Sequence, residues 1–172
     1  MDWRNLVISI PDYPKPGISF KDITPLLANG EGFRAAIEEM AQFCERADLR
    51  PQALACPEAR GFIFASALAQ RLGIGFIPLR KPGKLPREVA RLTYDLEYGQ
   101  DTLEVHKSDV KPGMRIMMVD DVLATGGTMS ACIALLQSLG AEVIGAAFLL
   151  EIPALKGRER LGDLAVCSLI ED

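Results

Sequence analysis

The chain has 172 residues, of which 49% are hydrophobic and 24% are charged, a composition typical of one globular domain with a sizeable core. Its formal net charge of −4 argues against a general nucleic-acid binder or a membrane-surface binder. The longest apolar run, residues 143–150, is far too short to span a membrane, so we expect no membrane partner.

Cysteine and histidine usage narrows the chemistry further. Cys44, Cys56, Cys132 and Cys167 are scattered in apolar surroundings without a CxxC pair, which favours buried free thiols in a reducing compartment. The first residues lack a basic patch followed by an apolar region, so we expect no secretory signal and a cytoplasmic protein. His106 is the only histidine, which excludes multi-histidine metal sites, and we expect it to be structural.

The first half of the chain is predicted to be a turn-rich segment followed by alternating helices and strands. Residues 1–30 contain many prolines and glycines, which predicts irregular structure with a short strand or two. Apolar side chains then recur at helical spacing, which predicts an amphipathic helix from Glu31 to about Ala47. Beyond that helix, the pattern predicts a strand, a turn, a helix stopped by Gly73 and another strand, at residues 52–56, 57–61, 62–72 and 75–79.

Residues 80–101 differ from the segments on either side. They contain prolines, glycines and many charges, with little periodicity until apolar and polar residues begin to alternate near Thr93. This pattern predicts a mobile loop followed by a hairpin, with strands at residues 91–96 and 102–106 and a turn near Gly99.

A second strand–loop–helix–strand unit follows. The pattern predicts a strand at residues 115–119, a helix at 128–139 that is capped by Gly140, and a buried strand at 142–150. Two such units in series predict a parallel sheet with right-handed crossovers. In such sheets, ligands bind at the carboxyl ends of the strands, where the loops of both units would lie.

The loop of the second unit carries an unusual combination of residues, MVDDVLATGGT (118–128). Glycines between a strand and a helix let backbone N–H groups approach an anion at the helix N-terminus. An ordinary tight turn with a threonine cap is the plainer interpretation. Neither GxxxxGK[ST] nor GxGxxG occurs in the chain, which disfavours a nucleotide-triphosphate loop.

The paired acids Asp120 and Asp121 give the loop a more specific interpretation. Two carboxylates beside a phosphate cradle suit neighbouring hydroxyls, a bound Mg²⁺ or a developing positive charge. A sugar phosphate with a vicinal diol would satisfy all of these groups at once.

MVDDVLATGGT resembles the phosphoribosylpyrophosphate (PRPP) signature of the type I phosphoribosyltransferases. Further segments resemble the branch of that family that acts on adenine: DYPKPGISFKDITPLL (12–27), EARGF (58–62), RKPGKLPRE (80–88), YDLEYG (94–99) and LKGRERL (155–161). The resemblance implies an α/β fold with a central, mainly parallel twisted sheet flanked by helices. It implies a single domain over residues 1–172, with a small N-terminal hood at about 1–30 and a flexible loop and hairpin at about 80–106.

The resemblance also implies a reaction, in which adenine and PRPP give AMP and pyrophosphate in purine salvage. The sugar phosphate would be held by the signature, with Asp120 and Asp121 on the ribose hydroxyls and the 5′-phosphate on Ala124, Thr125, Gly126, Gly127 and Thr128. Pyrophosphate would meet Ala59, Arg60, Gly61, Arg80, Lys81 and Lys84, with Arg60 and Lys84 acting in catalysis and Mg²⁺ bound mainly through PRPP. The Glu58–Ala59 peptide is implied to be cis.

The resemblance assigns the base site to two further segments. Phe20 would stack on adenine, with Ser19 and Lys21 offering main-chain groups to the purine edge. Glu97 would be the general acid/base at a purine ring nitrogen, with Tyr98 beside it. A homodimer is implied as well, in which Arg87 reaches the neighbouring site.

Plainer interpretations stay open for several of these residues. A lone phenylalanine such as Phe20 usually packs in a core, and Glu97 could be a surface glutamate beside a turn. Lys81 and Lys84 could belong to a solvated charge run. Transfer to another nucleobase, or a non-catalytic regulator that senses PRPP, are the alternative functions, although the chain has no basic helix for DNA.

Overall fold

Four helices and nine strands make up the computed structural model, which describes residues 2–46, 48–96 and 98–172. The strands are β1 (Ile8–Ile10), β2 (Phe20–Asp22), β3 (Ala53–Pro57), β4 (Gly75–Leu79), β5 (Val89–Asp95), β6 (Gln100–His106), β7 (Arg115–Leu123), β8 (Glu142–Glu151) and β9 (Ala165–Glu171). The helices are α1 (Thr24–Ala28), α2 (Gly30–Cys44), α3 (Gly61–Leu72) and α4 (Gly127–Ser138).

A five-stranded sheet lies at the centre, in the order β4-β3-β7-β8-β9. Every neighbouring pair in it is parallel, which confirms the predicted parallel sheet. Its inner strands are near-continuous apolar runs because helices or the hairpin cover both faces. Since all five strands point the same way, their carboxyl ends meet at one edge of the sheet.

Side chains that alternate along each inner strand feed two separate cores. On β3, Ala53 and Ala55 face a core that α4 and the β5–β6 hairpin complete, whereas Leu54 and Cys56 face a core completed by α2 and α3. This period of two places a hydrophobic layer on each face of the sheet. The sheet is therefore held rigidly from both sides, which fixes the position of the loops at its edge.

Some element boundaries depart from the sequence prediction. Strand β7 continues to Leu123 instead of ending at residue 119, so Asp120 and Asp121 lie within the strand and not in the loop. Helix α2 ends at Cys44, and Ala47 lies outside the described residues. Strand β9, for which the pattern gave no prediction, forms the outer edge of the sheet.

The turn-rich N-terminus folds into a small two-stranded antiparallel sheet, β1–β2. Lys21 Nζ of β2 donates to Asp172 Oδ1 at 2.5 Å, one residue beyond the end of β9. Because β9 ends at the carboxyl edge of the central sheet, this ion pair sets the N-terminal hairpin beside the same edge. The β5–β6 hairpin is antiparallel, as predicted, and Gly99 has the positive φ of +83° that its turn requires.

The cysteines are free thiols. Cys44, Cys56 and Cys132 are buried, as expected, but Cys167 on the outer strand β9 is only half-buried. Burial raises the pKa of the Cys44 thiol to about 12, so it stays protonated. Within the described ranges, no helix is both long and apolar enough to cross a membrane.

Candidate active site

Three loops with functional chemistry meet at the carboxyl edge of the sheet. They follow β3, β4 and β7, which are adjacent strands in the order β4-β3-β7. The loop after β3 contains Arg60, the loop after β4 contains Lys81 and Lys84, and the loop after β7 contains Thr125 to Thr128. Residues that are far apart in sequence thus face one another, as the strand–loop–helix pattern predicted.

The glycine loop after β7 is held by a close backbone contact. Gly126 has a φ of +79°, and a Cβ added to it would lie 2.6 Å from the carbonyl oxygen of Gly157. A Cβ on Gly157 would in turn run into the carbonyl oxygen of Ala124. Both positions therefore require glycine, and the segment that contains Gly157 supports the loop from behind.

Helix α4 starts inside this loop, at Gly127. Its first intrahelical bond is donated by Ser130 N to Gly126 O at 2.9 Å. The N–H groups that precede Ser130 have no carbonyl within the helix to bond, and Gly127 N makes only a long contact of 3.5 Å with Thr125 Oγ1, so these groups can donate to an anion in front of the loop. The hydroxyls of Thr125 and Thr128 are exposed on the same loop.

The paired acids lie behind the loop and contact the first turn of α3. Arg60 Nε is 2.8 Å from Asp121 Oδ2, but this oxygen receives no aligned hydrogen bond from the described residues. Asp121 N donates to Asp120 Oδ1 at 2.8 Å. Burial raises the pKa of the Asp120 carboxyl well above its ordinary value, and the charge of Asp121 raises it further.

Gly61 makes the approach of α3 to these acids possible. A Cβ at Gly61 would run into the Asp120 carboxylate and would lie 2.5 Å from Cys56 Sγ. The loop before it contains a cis peptide between Glu58 and Ala59, as the resemblance implied. Ala59 and Arg60 are exposed there, directly after the carboxyl end of β3.

The half-buried carboxylate of Glu58 organises the basic segment after β4. Glu58 accepts hydrogen bonds from Arg80 Nε at 3.1 Å, from Lys81 N at 2.7 Å and from Lys84 Nζ at 2.5 Å. Burial of Glu58 opposes its ionisation, but the bonds from Lys84, Lys81 and Arg80 outweigh it and lower its pKa to about 2. The basic segment is therefore tied to the loop after β3.

The β5–β6 hairpin holds the same segment from the other side. Glu104, 2% exposed, accepts from Gly83 N at 3.3 Å and pairs with Arg91 at 3.0 Å. Asp101 pairs with Lys81. The pattern analysis missed both acids and Glu58 as organising residues, although the alternation along the hairpin placed Glu104 on a strand.

Tyr94 connects this hairpin to the glycine loop. Its hydroxyl lies 3.3 Å from Thr128 Oγ1 and 3.4 Å from Asp101 Oδ2. Burial raises the pKa of the Tyr94 hydroxyl, so the group remains a neutral donor. The basic segment and the glycine loop are thus linked through one side chain.

Phe20 and its neighbours, which were predicted to bind the base, lie in the N-terminal hairpin. Phe20 is half-buried and packs edge-to-face against Tyr13, with ring centroids 5.3 Å apart. Within the described part of the chain, Ser19, Phe20 and Lys21 make no hydrogen bond or ion pair with the three loops. Tyr98 is 87% exposed, and Glu97 lies outside the described residues.

Arg87 is engaged within its own chain. Its guanidinium pairs with Asp109 at 2.7 Å and also contacts Ser108. The buried His106 accepts from Arg87 N at 3.2 Å, which agrees with a structural role for the histidine. Half of the Arg87 side chain remains exposed to solvent.

Comparisons with known proteins place this geometry in a family. The phosphoribosyl transferase domain matches residues 25–172. A relative from Dichelobacter nodosus, an adenine phosphoribosyltransferase, is 77% identical over 172 residues, which is 100% of this chain and 99% of the relative. The chain therefore belongs to the phosphoribosyltransferases, enzymes of the transferase class.

Solved structures narrow the assignment. The adenine phosphoribosyltransferase of Thermoanaerobacter pseudethanolicus superposes with a TM-score of 0.92 at 48% identity, covering 98% of this chain and 97% of that one. The enzyme of Saccharomyces cerevisiae, in complex with adenine and an imino-altritol bisphosphate, has a TM-score of 0.91 at 36% identity, covering 97% and 96%. Within its family, this chain belongs to the adenine phosphoribosyltransferases, and the expected type I fold is confirmed.

Proposed function

We propose that this chain transfers the 5-phosphoribosyl group of PRPP to adenine and releases AMP and pyrophosphate. The observation that carries the proposal is the meeting of an anion loop, two acids and a basic segment at one edge of the sheet, in a chain of this family. The bound adenine of the yeast relative supports the choice of base. The reaction is a displacement at the anomeric carbon through an oxocarbenium-like transition state.

The sugar phosphate would occupy the loop after β7. Backbone N–H groups of residues 124–128 and the hydroxyls of Thr125 and Thr128 would donate to the 5′-phosphate. Asp120 and Asp121 would accept from the ribose 2′- and 3′-hydroxyls. Negative charge on this pair also favours the cationic sugar of the transition state.

Pyrophosphate would occupy the space between the loops after β3 and β4. Backbone N–H groups of Ala59 and Gly61 would bind it, with Arg60 as a charged clamp. Arg80, Lys81 and Lys84 would exchange their present carboxylate partners for phosphate oxygens. Positive charge at this point stabilises the leaving group as the glycosidic bond breaks.

The donor set fits a magnesium ion that is bound mainly through PRPP. Mg²⁺ commonly takes one or two carboxylates together with substrate phosphates and water. No protein side chain would be a direct ligand: the Asp121 oxygen without an aligned hydrogen bond would face the ribose hydroxyls, and no cluster of three acidic, cysteine or histidine ligands occurs among the described residues. The ion would supply charge neutralisation to the diphosphate.

Adenine would bind under the N-terminal hood. The ring of Phe20 would stack on the purine, while main-chain groups of Ser19 and Lys21 recognise its edge. Glu97 would act as the general acid/base at the ring nitrogen, and the exposed Tyr98 would close over the base.

A substrate panel tests this function. Purified protein with Mg²⁺ and PRPP would be offered adenine, hypoxanthine, guanine and orotate, and pyrophosphate release would be measured. We expect release with adenine. Release with none of the four bases would defeat the enzyme assignment, and release with another base alone would move the specificity away from adenine.

The role of Glu97 needs a test of its own. Glu97→Gln keeps the size of the side chain but removes its titration, so we expect a lower kcat and loss of one limb of the pH profile. Turnover equal to that of the unaltered enzyme at every pH would remove Glu97 from proton transfer.

The assembly and the location of the protein complete the proposal. We propose a homodimer in which Arg87 leaves Asp109 and reaches the neighbouring site. A monomer with full activity in equilibrium sedimentation would contradict it. The buried thiols support a reducing compartment such as the cytoplasm.

A further inference from the structure

A basic side chain that the sequence interpretation left without a role lies beside the glycine loop. Arg160 belongs to the short 3₁₀ segment Gly157–Leu161, which packs against α4. Its Nη1 atom is 3.8 Å from the position that a Cβ would take on Gly127, the first residue of α4. Because Gly127 has no side chain, no group of its own separates the guanidinium from the loop.

The charge of Arg160 is not neutralised by the described residues. The other cations at this edge are paired: Arg60 with Asp121, Arg80 and Lys84 with Glu58, and Lys81 with Asp101. In the described part of the chain, no carboxylate lies within 4.0 Å of the Arg160 guanidinium. The protein has a net charge of −4, and a guanidinium without a carboxylate partner can form charge-assisted hydrogen bonds with an anion.

The position of Arg160 is unfavourable unless an anion is nearby. The N-terminus of a helix carries a partial positive charge, so a guanidinium next to α4 is repelled by the helix dipole. An anion held by the loop would be attracted by both the dipole and the guanidinium. The loop itself, Ala124 to Thr128, contains no basic residue, so this cation must come from elsewhere.

The segment that carries Arg160 is anchored independently. Arg158 donates to both oxygens of Glu151, at 2.8 and 2.9 Å, and Glu151 is only 4% exposed. Gly157, the first residue of this segment, packs against Gly126 of the glycine loop. Arg160 is thereby brought to the loop by contacts that do not involve its own side chain.

We propose that Arg160 binds the 5′-phosphate of PRPP and of AMP, together with the N–H groups of the glycine loop. The proposal rests on the proposed function, because it assigns a further binding residue to the same site. Arg160 would act in binding a ribosyl phosphate and not in bond breaking. Its loss should therefore change KM for PRPP and leave kcat nearly unaltered.

A ligand pair that differs only in the phosphate provides the test. Calorimetry would compare AMP and adenosine binding to the unaltered protein and to Arg160→Gln. We expect about tenfold weaker AMP binding, the scale of a charge-assisted hydrogen bond, with adenosine binding unchanged. Arg160→Lys, which keeps the charge but not the fork of donors, should retain part of the affinity.

Lys156→Gln is the matched control. Lys156 is an exposed cation on the neighbouring turn, and its partner Glu159 lies at 3.8 Å. We expect this variant to bind both ligands as the unaltered protein does, which would exclude a general effect of net charge.

Two results would overturn the assignment: unchanged AMP affinity in Arg160→Gln, or equal weakening of AMP and adenosine. The second would show that Arg160 supports the site structurally, and a lower Tm would accompany it. Failure of the proposed function is visible elsewhere, as absent pyrophosphate release from the unaltered enzyme with adenine. The two failures are therefore distinguishable.

Discussion

The two proposed anion sites at the edge of the sheet are built in different ways. The glycine loop after β7 presents backbone N–H groups and is fixed by a backbone contact between Gly126 and Gly157. The basic segment after β4 presents charged side chains, which are fixed by the carboxylates of Glu58 and Asp101, while Glu104 holds the backbone at Gly83. One site depends on shape, and the other depends on charge.

This difference predicts how each site responds to change. Backbone dipoles do not titrate, and their effect depends mainly on their position. The glycine loop should therefore lose most of its activity when its backbone is displaced. Ion pairs can be weakened one at a time, so the basic segment should lose function gradually. Four variants, from the largest expected effect to the smallest, and one control variant test this contrast.

Gly126→Ala should have the largest effect. The added Cβ would meet the carbonyl oxygen of Gly157 at 2.6 Å in a backbone with a φ of +79°. Displacement of the loop should lower kcat/KM by about a hundredfold or more, since small misplacements of a bound substrate cost that much. Steady-state kinetics with adenine and PRPP measure it.

Gly73→Ala is the control for backbone strain in that experiment. Gly73 also has a positive φ, +67°, but a Cβ there meets nothing within 4 Å. We expect a loss of about 1 kcal/mol in the free energy of unfolding with kcat/KM unchanged. An equal loss of activity in both glycine variants would refute the special role of the Gly157 contact.

Lys84→Ala should have an intermediate effect. Lys84 would meet pyrophosphate, which PRPP contains and AMP does not. The kcat/KM for PRPP should therefore fall about tenfold, as expected for a lost charge-assisted contact to the leaving group, while the Kd of AMP stays constant. A parallel change in both constants would mean that the two anion sites are not separate.

Glu58→Gln should act through the basic segment and through stability. KM for PRPP should rise about fivefold, the scale of one net hydrogen bond. The pKa of Glu58 is about 2 in the folded protein against an ordinary 4.5, so its charge stabilises the fold above pH 4.5 and this stabilisation is lost as the pH falls towards 2. The variant should lose about 1–3 kcal/mol of unfolding free energy at pH 7.

The pH dependence distinguishes this origin from a simple packing defect. Urea unfolding of both proteins between pH 7 and pH 3 should show a gap that narrows as the pH falls below about 4.5, because the unfolded chain then takes up the proton. A gap that stays constant over this range would contradict the ionic account of Glu58.

Tyr94→Phe should have the smallest effect. The Tyr94 hydroxyl lies 3.3 Å from Thr128 and 3.4 Å from Asp101, and hydrogen bonds of that length are weak. We expect kcat/KM to change by no more than about threefold. A much larger loss would show that the two sites work as one unit, and the contrast between them would have to be withdrawn.

The parallel sheet and the position of its loops could be predicted because hydrophobic periodicity and glycine caps are local signals. Helix α3 and its stop at Gly73 illustrate this. Strand β9 escaped prediction, since it is an outer strand whose side chains are mostly half-buried, and its apolar pattern is correspondingly weak. The extension of β7 over Asp120 and Asp121 was not predicted, because strand pairing with β8 overrides the low strand propensity of aspartate.

Some features of the candidate site could also be predicted from the sequence, and others could not. Residues within one motif, such as Thr125 to Thr128, were visible because their spacing is itself the signal. The contacts of Glu58 with Lys84 and of Gly126 with Gly157 join distant parts of the sequence, and only the fold reveals them. Resemblance pointed to LKGRERL, but the reason for its glycine became clear only from the close backbone contact.

The contact between Gly126 and Gly157 also has a consequence for biosynthesis. The ribosome produces the glycine loop well before it produces the segment that supports it, so the nascent chain cannot hold the loop in its final shape until Gly157 has emerged. A chain truncated before Gly157 would retain the whole PRPP signature and still lack a working anion site. Termination before Gly157 should therefore be as damaging as a change in the signature itself.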